Sequence, residues 1–586
     1  MAERTGADLV VERLRAWRVP RVFGCPGAAI APVVAALDRS GGDPEFVPAR
    51  HEETAAFMAS GHAKFTGGIG VCLATQGPSA VHLLNGLYDA KLDSKPMVAI
   101  IGEDVTGPLG GAHEEIGLSR LLGDVCNQFF RYARTPEQVP ATLDQAFRTA
   151  AATRSPTCVV LPREAQTAAV PDLLPQAAGV TSATPGEPLA KVLPHEADLA
   201  AAAALLGAGG RLAILAGQGA QGAADEIVAL ADRLGAGVAT SLLGKPVLDE
   251  RLPFHTGVLG EVGSVAAAEL MGGCDTLLMV GTNDPWTGYY PVAGQTRTIQ
   301  IDIDGRRISA RHPVDVPLVG DAAETLRALL DRVPDRPRRE WRATVERSVD
   351  RWREEAAARA AEPAVPVNPQ LVLHQLSVRM PRVAAVAVDV GSILYWYARH
   401  LQLPPGVSAQ LCGTLGSTGC ALPYAVAAKL ARPDRPVIAL VGDSAMQLNG
   451  LAELITVAYH WREWPDPRLV VLVLNNRDHS GVGHGRLPPG TTARRPEVPY
   501  AGWARLLGLH GVRVDRPELV GAAWDEALAA DRPSVLEAVV DPTVPLRPPE
   551  PALADLRSLF ADGGAARMVR ERMLDSGVSV AADDLV

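Results

Sequence analysis

No Lys/Arg block interrupts the 586-residue sequence, and its formal net charge is −10. A chain of that sign has no electrostatic reason to seek nucleic acid. No apolar run approaches the roughly 20 residues that a membrane helix needs. The longest, such as residues 469–474 (LVVLVL), have strand length. The opening stretch MAERTGADLVVERLRAW reads as an amphipathic helix with interspersed charge and lacks the apolar centre of a secretory leader. No C-x-x-C occurs: Cys25, Cys72, Cys126, Cys158, Cys274, Cys412 and Cys420 are odd in number and scattered. This argues against a disulfide framework or a zinc knuckle and for a reducing cytosol, so a cytoplasmic location is expected. A short-period repeat is also missing.

What is present is a soluble globular balance, 47% hydrophobic and 21% charged residues. The length is too great for one core and suggests about three or four units at roughly 150 residues each. Three segments alternate strand and helix signals, the pattern of parallel sheets covered by helices. In the first, residues 22–27, 71–79 and 97–102 are short apolar runs that stop at Gly, Pro or Ser. A stretch rich in Pro, Ala and Gly at about 170–194 reads as a linker. The second carries RLAILAGQGA, TLLMVGTND and RTIQIDIDG. The charged stretch RREWRATVERSVDRWREEAAARAAE, closed by PAVPVNP, reads as a helical linker. The third carries VAAVAVDVGS, VIALVGDSA and RLVVLVLNN, and two of the three segments look alike. A polar tail follows, with one candidate helix, LADLRSLF.

In the third segment, VIALVGDS closes a strand with Gly442, Asp443 and Ser444. Ligands gather at the carboxyl ends of parallel strands. Gly442 is expected to let the chain turn sharply, and Asp443 offers a hard oxygen suited to magnesium. The next residues begin a helix whose N-terminal amides suit a phosphate. About thirty residues on, a second buried strand ends at Asn475 and Asn476. GDS alone reads more readily as an ordinary strand-to-helix turn. Its pairing with an amide-bearing strand end, one helix away, favours a shared ion.

These residues resemble the G-D-G…N-N signature of thiamin-diphosphate enzymes, and the chain resembles the pyruvate oxidase and acetolactate synthase family. RHEETAAFMASGHAKFTG, HLLNGLYDAKLD, IQIDIDGRRIS, DVGS, ALPYAVAAKLARPDRPVIALVGDSAMQLNG and LVVLVLNNRD carry the likeness across all three segments. The resemblance implies three doubly wound parallel-sheet α/β domains. These are a pyrimidine-binding domain (1–170), a central FAD-type domain (195–335) and a pyrophosphate-binding domain (366–545), before a tail at 546–586. It makes Asp443, Asn476 and the main-chain carbonyl of Asp478 magnesium ligands. Gly391, Ser392, Gly416, Thr418, Gly442 and Ser444 join them around thiamin diphosphate. Glu52 matches the catalytic glutamate, whose carboxylate shifts the pyrimidine ring toward the tautomer that acts as internal base; burial suits it to hold a proton. FAD is the third candidate cofactor. Gly217 and Gly219 read as a nucleotide-binding turn, weak evidence alone, and Asp302 and Asp304 close a neighbouring strand where relatives hold the adenine-side ribose. In the family the glutamate and the diphosphate site come from different subunits, which implies a homodimer or homotetramer.

Departures cluster around this site. Thr418 stands where a bulky apolar residue wedges under the cofactor, with Leu415 or Val482 as possible substitutes. The S/A-G-P-G turn is Gln76-Gly77-Pro78-Ser79. His113 and Glu114 occupy the pocket positions of an aromatic residue and a glutamine, and His479 and His484 lie in a Gly-rich loop. The expected reaction is decarboxylation of a small, pyruvate-like 2-oxo acid, followed by transfer of the acyl or enamine intermediate to an acceptor. An acetolactate-synthase-like carboligase and a non-catalytic cofactor-binding protein are the alternatives.

Overall fold

A computed structural model describes residues 4–104, 116–170, 191–477 and 497–549. The candidate tail helix LADLRSLF, His113, Glu114, Asp478, His479, Val482 and His484 lie outside them. Three all-parallel sheets follow one another along the chain, as the sequence predicted, and each has six strands. The first contains β1 (Arg21–Gly24), β2 (Glu45–Pro48), β3 (Gly70–Thr75), β4 (Met97–Glu103), β5 (Phe130–Tyr132) and β6 (Pro156–Pro162). The second contains β7 (Leu212–Ala216), β8 (Gly237–Thr240), β9 (His255–Val258), β10 (Thr276–Val280), β11 (Arg297–Asp302) and β12 (Val316–Val319). The third contains β13 (Ala384–Val388), β14 (Val407–Leu411), β15 (Val437–Gly442), β16 (Leu469–Asn475), β17 (His510–Val514) and β18 (Ser534–Val539).

The outer sheets share one strand order, β2-β1-β3-β4-β6-β5 and β14-β13-β15-β16-β18-β17, which explains why two segments of the sequence look alike. The central order, β9-β8-β7-β10-β11-β12, is that of a dinucleotide-binding sheet read from its first strand, 3-2-1-4-5-6. Helices cover both faces, so central strands read as unbroken apolar runs; β16 is buried throughout. The charged linker forms one helix, Arg339–Ala361.

The helix Glu52–Thr66 joins the first sheet to the third. It is not the half-exposed amphipathic helix that HEET alone suggests, being buried on almost every side. Its small residues admit the helix Ala421–Ala431: a Cβ at Gly61 would lie 3.0 Å from the Tyr424 Cα. Beside this crossing Lys64 is fully buried. Its Nζ donates to Asp89, Asp93, the Leu411 carbonyl and Tyr424, at 2.7–2.9 Å. Burial opposes its charge, yet the two aspartates outweigh that and hold its proton more tightly than usual.

Three buried histidines make folding pH-dependent. Burial pushes His62 down to about 4, and His255 and His400 down to about 3. Each is neutral when folded and binds a proton when unfolded below about pH 6.5. Unfolding is therefore favoured as pH falls from 6.5 toward these lowered values. Between pH 6.5 and 5 each should withdraw up to about 2 kcal/mol. The thermal midpoint should drop across that window, and His255→Leu should flatten the slope. A midpoint independent of pH there would contradict this account.

Candidate functional site

β15 and β16 are paired in parallel with Gly442 opposite Leu474, so Asp443 and Asn476 emerge at the same end of the sheet. They border a cleft of about 660 Å³, together with Gly391, Ser392, Thr418, Gly442 and Ser444. Glu261 of the central domain and residues 540–546 and 548 form other walls. One Asp443 oxygen accepts the Ser444 N–H at 2.8 Å, and the other accepts the Arg477 N–H at 3.0 Å. Arg477 adopts φ 57°, a left-handed conformation that a non-glycine residue holds at a cost and that recurs at functional sites. The asparagines divide their tasks. Asn475 is buried and donates to Glu537 at 2.9 Å, while Asn476 faces the cleft.

Gly442 corrects one expectation. Its φ of −80° is open to any residue, so it makes no special turn. No atom lies within 4 Å of where its Cβ would be, and the glycine leaves the cleft wall open. Gly391 is the residue whose backbone requires glycine: at φ 121° it precedes the helix Ser392–His400, whose N-terminus opens on the cleft. Gly416, at φ 72°, does not line the cleft; Thr418 does. Leu415 packs against the hydrophobic core.

Asp389 was missed by motif reading, although it closes a buried strand immediately before a glycine turn. Its carboxylate accepts the Val390, Gly419 and Ala421 N–H groups at 2.8, 2.8 and 3.0 Å. This single side chain fastens the turn at 389–392 to the loop at 416–421. Burial pushes it up to about 6, against the pull of the three N–H donors.

Glu52 begins its helix and does not line the cleft of Asp443. Ser79 donates to one oxygen at 2.9 Å, and His82 Nδ1 lies 3.0 Å from the other. Burial raises the affinity of Glu52 for its proton, but the bonds from His82, its own N–H and Ser79 together prevail and hold the carboxyl below its ordinary value, which corrects the expectation that burial keeps it protonated. The substituted Ser79 is thus a direct partner of Glu52. His82 was also missed; only the turn brings it within reach, thirty residues along the chain. Glu53 faces elsewhere, accepting from Asn85 at 2.8 Å.

In the central domain, a cavity of about 280 Å³ opens past the carboxyl ends of β7, β10 and β11, where the strand order reverses. Gly219, Asp302, Arg307 and the first domain's Lys95 and Arg154 line it. Burial pushes Asp302 up and Lys95 down to about 8. Arg307 donates to Ser94 at 2.5 Å across the domain boundary. Gly217 and Asp304 do not line the cavity. A Cβ at Gly217 would meet the Gly281 carbonyl at 2.4 Å, so that glycine serves the packing of two turns. Asp304 is engaged by the Arg306 N–H and guanidinium at 3.1 and 2.9 Å.

Residues 4–119 match the N-terminal TPP binding domain of thiamine pyrophosphate enzymes, residues 199–329 their central domain, and residues 389–538 their C-terminal TPP binding domain. The chain is 32% identical to the "Putative thiamine pyrophosphate-containing protein YdaP" of Bacillus subtilis (strain 168), over 93% of each chain. It is 32% identical to the acetolactate synthase isozyme 2 large subunit of Escherichia coli (strain K12), over 92% of this chain and 95% of that one. It is 31% identical to the pyruvate oxidase of Lactiplantibacillus plantarum, over 77% and 74%. With three domain matches in the family's order and relatives aligned along nearly its whole length, the chain belongs to the thiamine pyrophosphate enzymes.

Proposed function

We propose that this protein is a thiamin-diphosphate- and magnesium-dependent enzyme that decarboxylates a small 2-oxo acid, pyruvate in the first instance, and passes the acyl group to an acceptor as a pyruvate oxidase does. The observation that carries this reading is the meeting of Asp443 and Asn476 at the ends of two adjoining strands, facing a helix N-terminus across one cleft. The donor set fits the group. A carboxylate and an amide oxygen are hard ligands for magnesium, with the Asp478 carbonyl proposed as the third. The Ser392 helix terminus and the cleft volume suit a diphosphate. Thiamin diphosphate, when bound, would supply an acidic carbon as nucleophile toward a 2-oxo carbon and an electron sink for decarboxylation.

The chain's own tasks follow. Asp443 and Asn476 would hold the metal that offsets the diphosphate charge. Asp389 holds the two glycine turns that border the cleft. Glu52 shares a proton with the pyrimidine ring, and Ser79 and His82 orient its two oxygens. Glu52 does not line its own chain's cleft, which is consistent with a site completed by a second copy in a homodimer or a pair of dimers. The central strand order and the cavity at Asp302 support FAD, with Asp302 at the ribose. Asp302→Ala protein should purify with less flavin per chain, read from its absorbance ratio; an unchanged flavin content would remove Asp302 from that role.

Carboligation is the second reading, favoured by the fuller alignment with the acetolactate synthase subunit than with the pyruvate oxidase. A panel of 2-oxo acids with thiamin diphosphate, magnesium and FAD separates the two. Carbon dioxide release with flavin bleaching supports oxidation, release with acetolactate supports carboligation, and no release from any acid overturns both.

A further inference from the structure

Residues 443–460 form one helical run: Asp443–Ala445, a π segment Met446–Gly450, and Leu451–His460. The run begins at the proposed diphosphate-site aspartate, and near its end the Tyr459 ring lies 5.7 Å from the guanidinium of Arg50 in the first domain. Two of its side chains, four residues apart and so on one face, reach the turn that carries Glu52. Asn449 Nδ2 donates to Glu53 at 3.3 Å and to the Gly419 carbonyl at 3.2 Å. Glu453 makes the stronger contact. Its Oε1 accepts the Arg50 N–H at 2.9 Å and the Thr54 hydroxyl at 2.5 Å, and its Oε2 accepts the Thr456 hydroxyl at 2.8 Å.

Glu453 is wholly buried, and among the described residues no Lys, Arg or His lies within salt-bridge range of it. A buried carboxylate without a cation is costly unless its lone pairs are satisfied. Here the Arg50 N–H, the Thr456 hydroxyl and the Thr54 hydroxyl, whose one proton is shared with the His51 carbonyl 2.7 Å from its oxygen, approach them beside the N-terminus of the helix Glu52–Thr66. The donors Arg50 and Thr54 stand two residues before and two residues after Glu52. The carboxylate therefore clamps both sides of the turn from another domain.

We propose that Glu453 is a positioning residue for Glu52, fixing the activating carboxylate from across the domain boundary and tying it through one helical run to the same chain's Asp443. The inference rests on the proposed role of Glu52. Glutamine at 453 can keep the geometry: its amide oxygen accepts from Arg50 and Thr54, and its NH2 group donates to Thr456. Alanine cannot.

The test uses the full-length protein. In Glu453→Ala without cofactor, amide hydrogen exchange over residues 48–58 should rise, because the Arg50 N–H and its helix terminus lose their acceptor. With thiamin diphosphate and magnesium bound, proton exchange at the cofactor's reactive carbon should slow by about 10- to 100-fold, the range a misplaced group produces. Cofactor affinity should stay within about threefold, and Glu453→Gln should restore both readouts. Thr54→Val, which leaves the helical run untouched, should give a smaller change in the same direction if the Ala variant does not fold. Unchanged exchange in the variants that fold overturns the proposal. So does a Gln variant as slow as Ala, which would make the charge and not the position decisive. Glu52→Gln is run alongside: if it exchanges as fast as wild type, the reading of Glu52 fails, and if it is slow while the 453 and 54 variants are normal, only the present inference fails.

Discussion

Glu52→Gln should bind thiamin diphosphate normally and lose turnover by about 100-fold or more, the scale set by removing a positioned acid–base group. Glutamine retains the shape and can keep partners at Ser79 and His82. It cannot take up and return a proton. Every outcome considered for the reaction, oxidation or carbon–carbon bond formation, comes after the cofactor is deprotonated. The loss should therefore be the same for every substrate and acceptor. Glu53 cannot substitute, because it projects about 100° around the helix and is held by Asn85. Exchange of the proton on the cofactor's reactive carbon, followed by NMR in deuterated buffer without substrate, isolates the step. Equal rates in Glu52→Gln and wild type would remove Glu52 as activator and with it the mechanistic centre of the proposal.

Asp443→Ala should abolish magnesium-dependent binding of thiamin diphosphate while the fold persists. The carboxylate stands past the end of β15, beyond the hydrogen-bonded ladder, so the sheet does not depend on it. The backbone N–H groups of Ser444 and Arg477 lose their acceptor, at a cost of about 1–3 kcal/mol for each that stays dry; Ser444 lines the cleft, where water can replace it. The diphosphate, by contrast, loses the ligand through which its charge is offset. Calorimetric titration of the dialysed protein with cofactor and magnesium measures this directly. Circular dichroism of the same sample shows whether the fold survives. Retained wild-type affinity would mean that the ion is held elsewhere.

The two predictions differ in how far the sequence alone could reach. Asp443 and Asn476 were legible because each follows an apolar run long enough for one strand, and a strand's end fixes where the next side chain emerges. Which asparagine of the pair enters the cleft was not settled by the residues themselves. Strand alternation sends neighbours to opposite faces, and the choice depends on Glu537 of β18 capturing Asn475. Gly442 shows the reverse error. Its place suggested a sharp turn, whereas its backbone is ordinary and its value lies in the space it leaves.

Glu52 was found through the stretch around it and not through its own surroundings. Ser79 and His82 lie about thirty residues away, and only the turn after β3 brings them to its oxygens. Glu453 is four hundred residues away and belongs to another domain, so no local pattern signals that it holds the Glu52 turn. In the central domain the glycines suggested a nucleotide turn, yet Gly217 is required by its contact with Gly281, a residue of another strand's end.

The sequence by itself determined the three α/β units, their parallel sheets and the placing of Asp443 and Asn476 just past two strand ends, because hydrophobic period and strand length are local properties of the chain. The tertiary structure alone decided the strand orders, the partners of Glu52, and the buried ties through Asp389 and Glu453. Those depend on which distant segments share a surface, and hydrogen bonds between such segments leave no periodic trace in the order of residues.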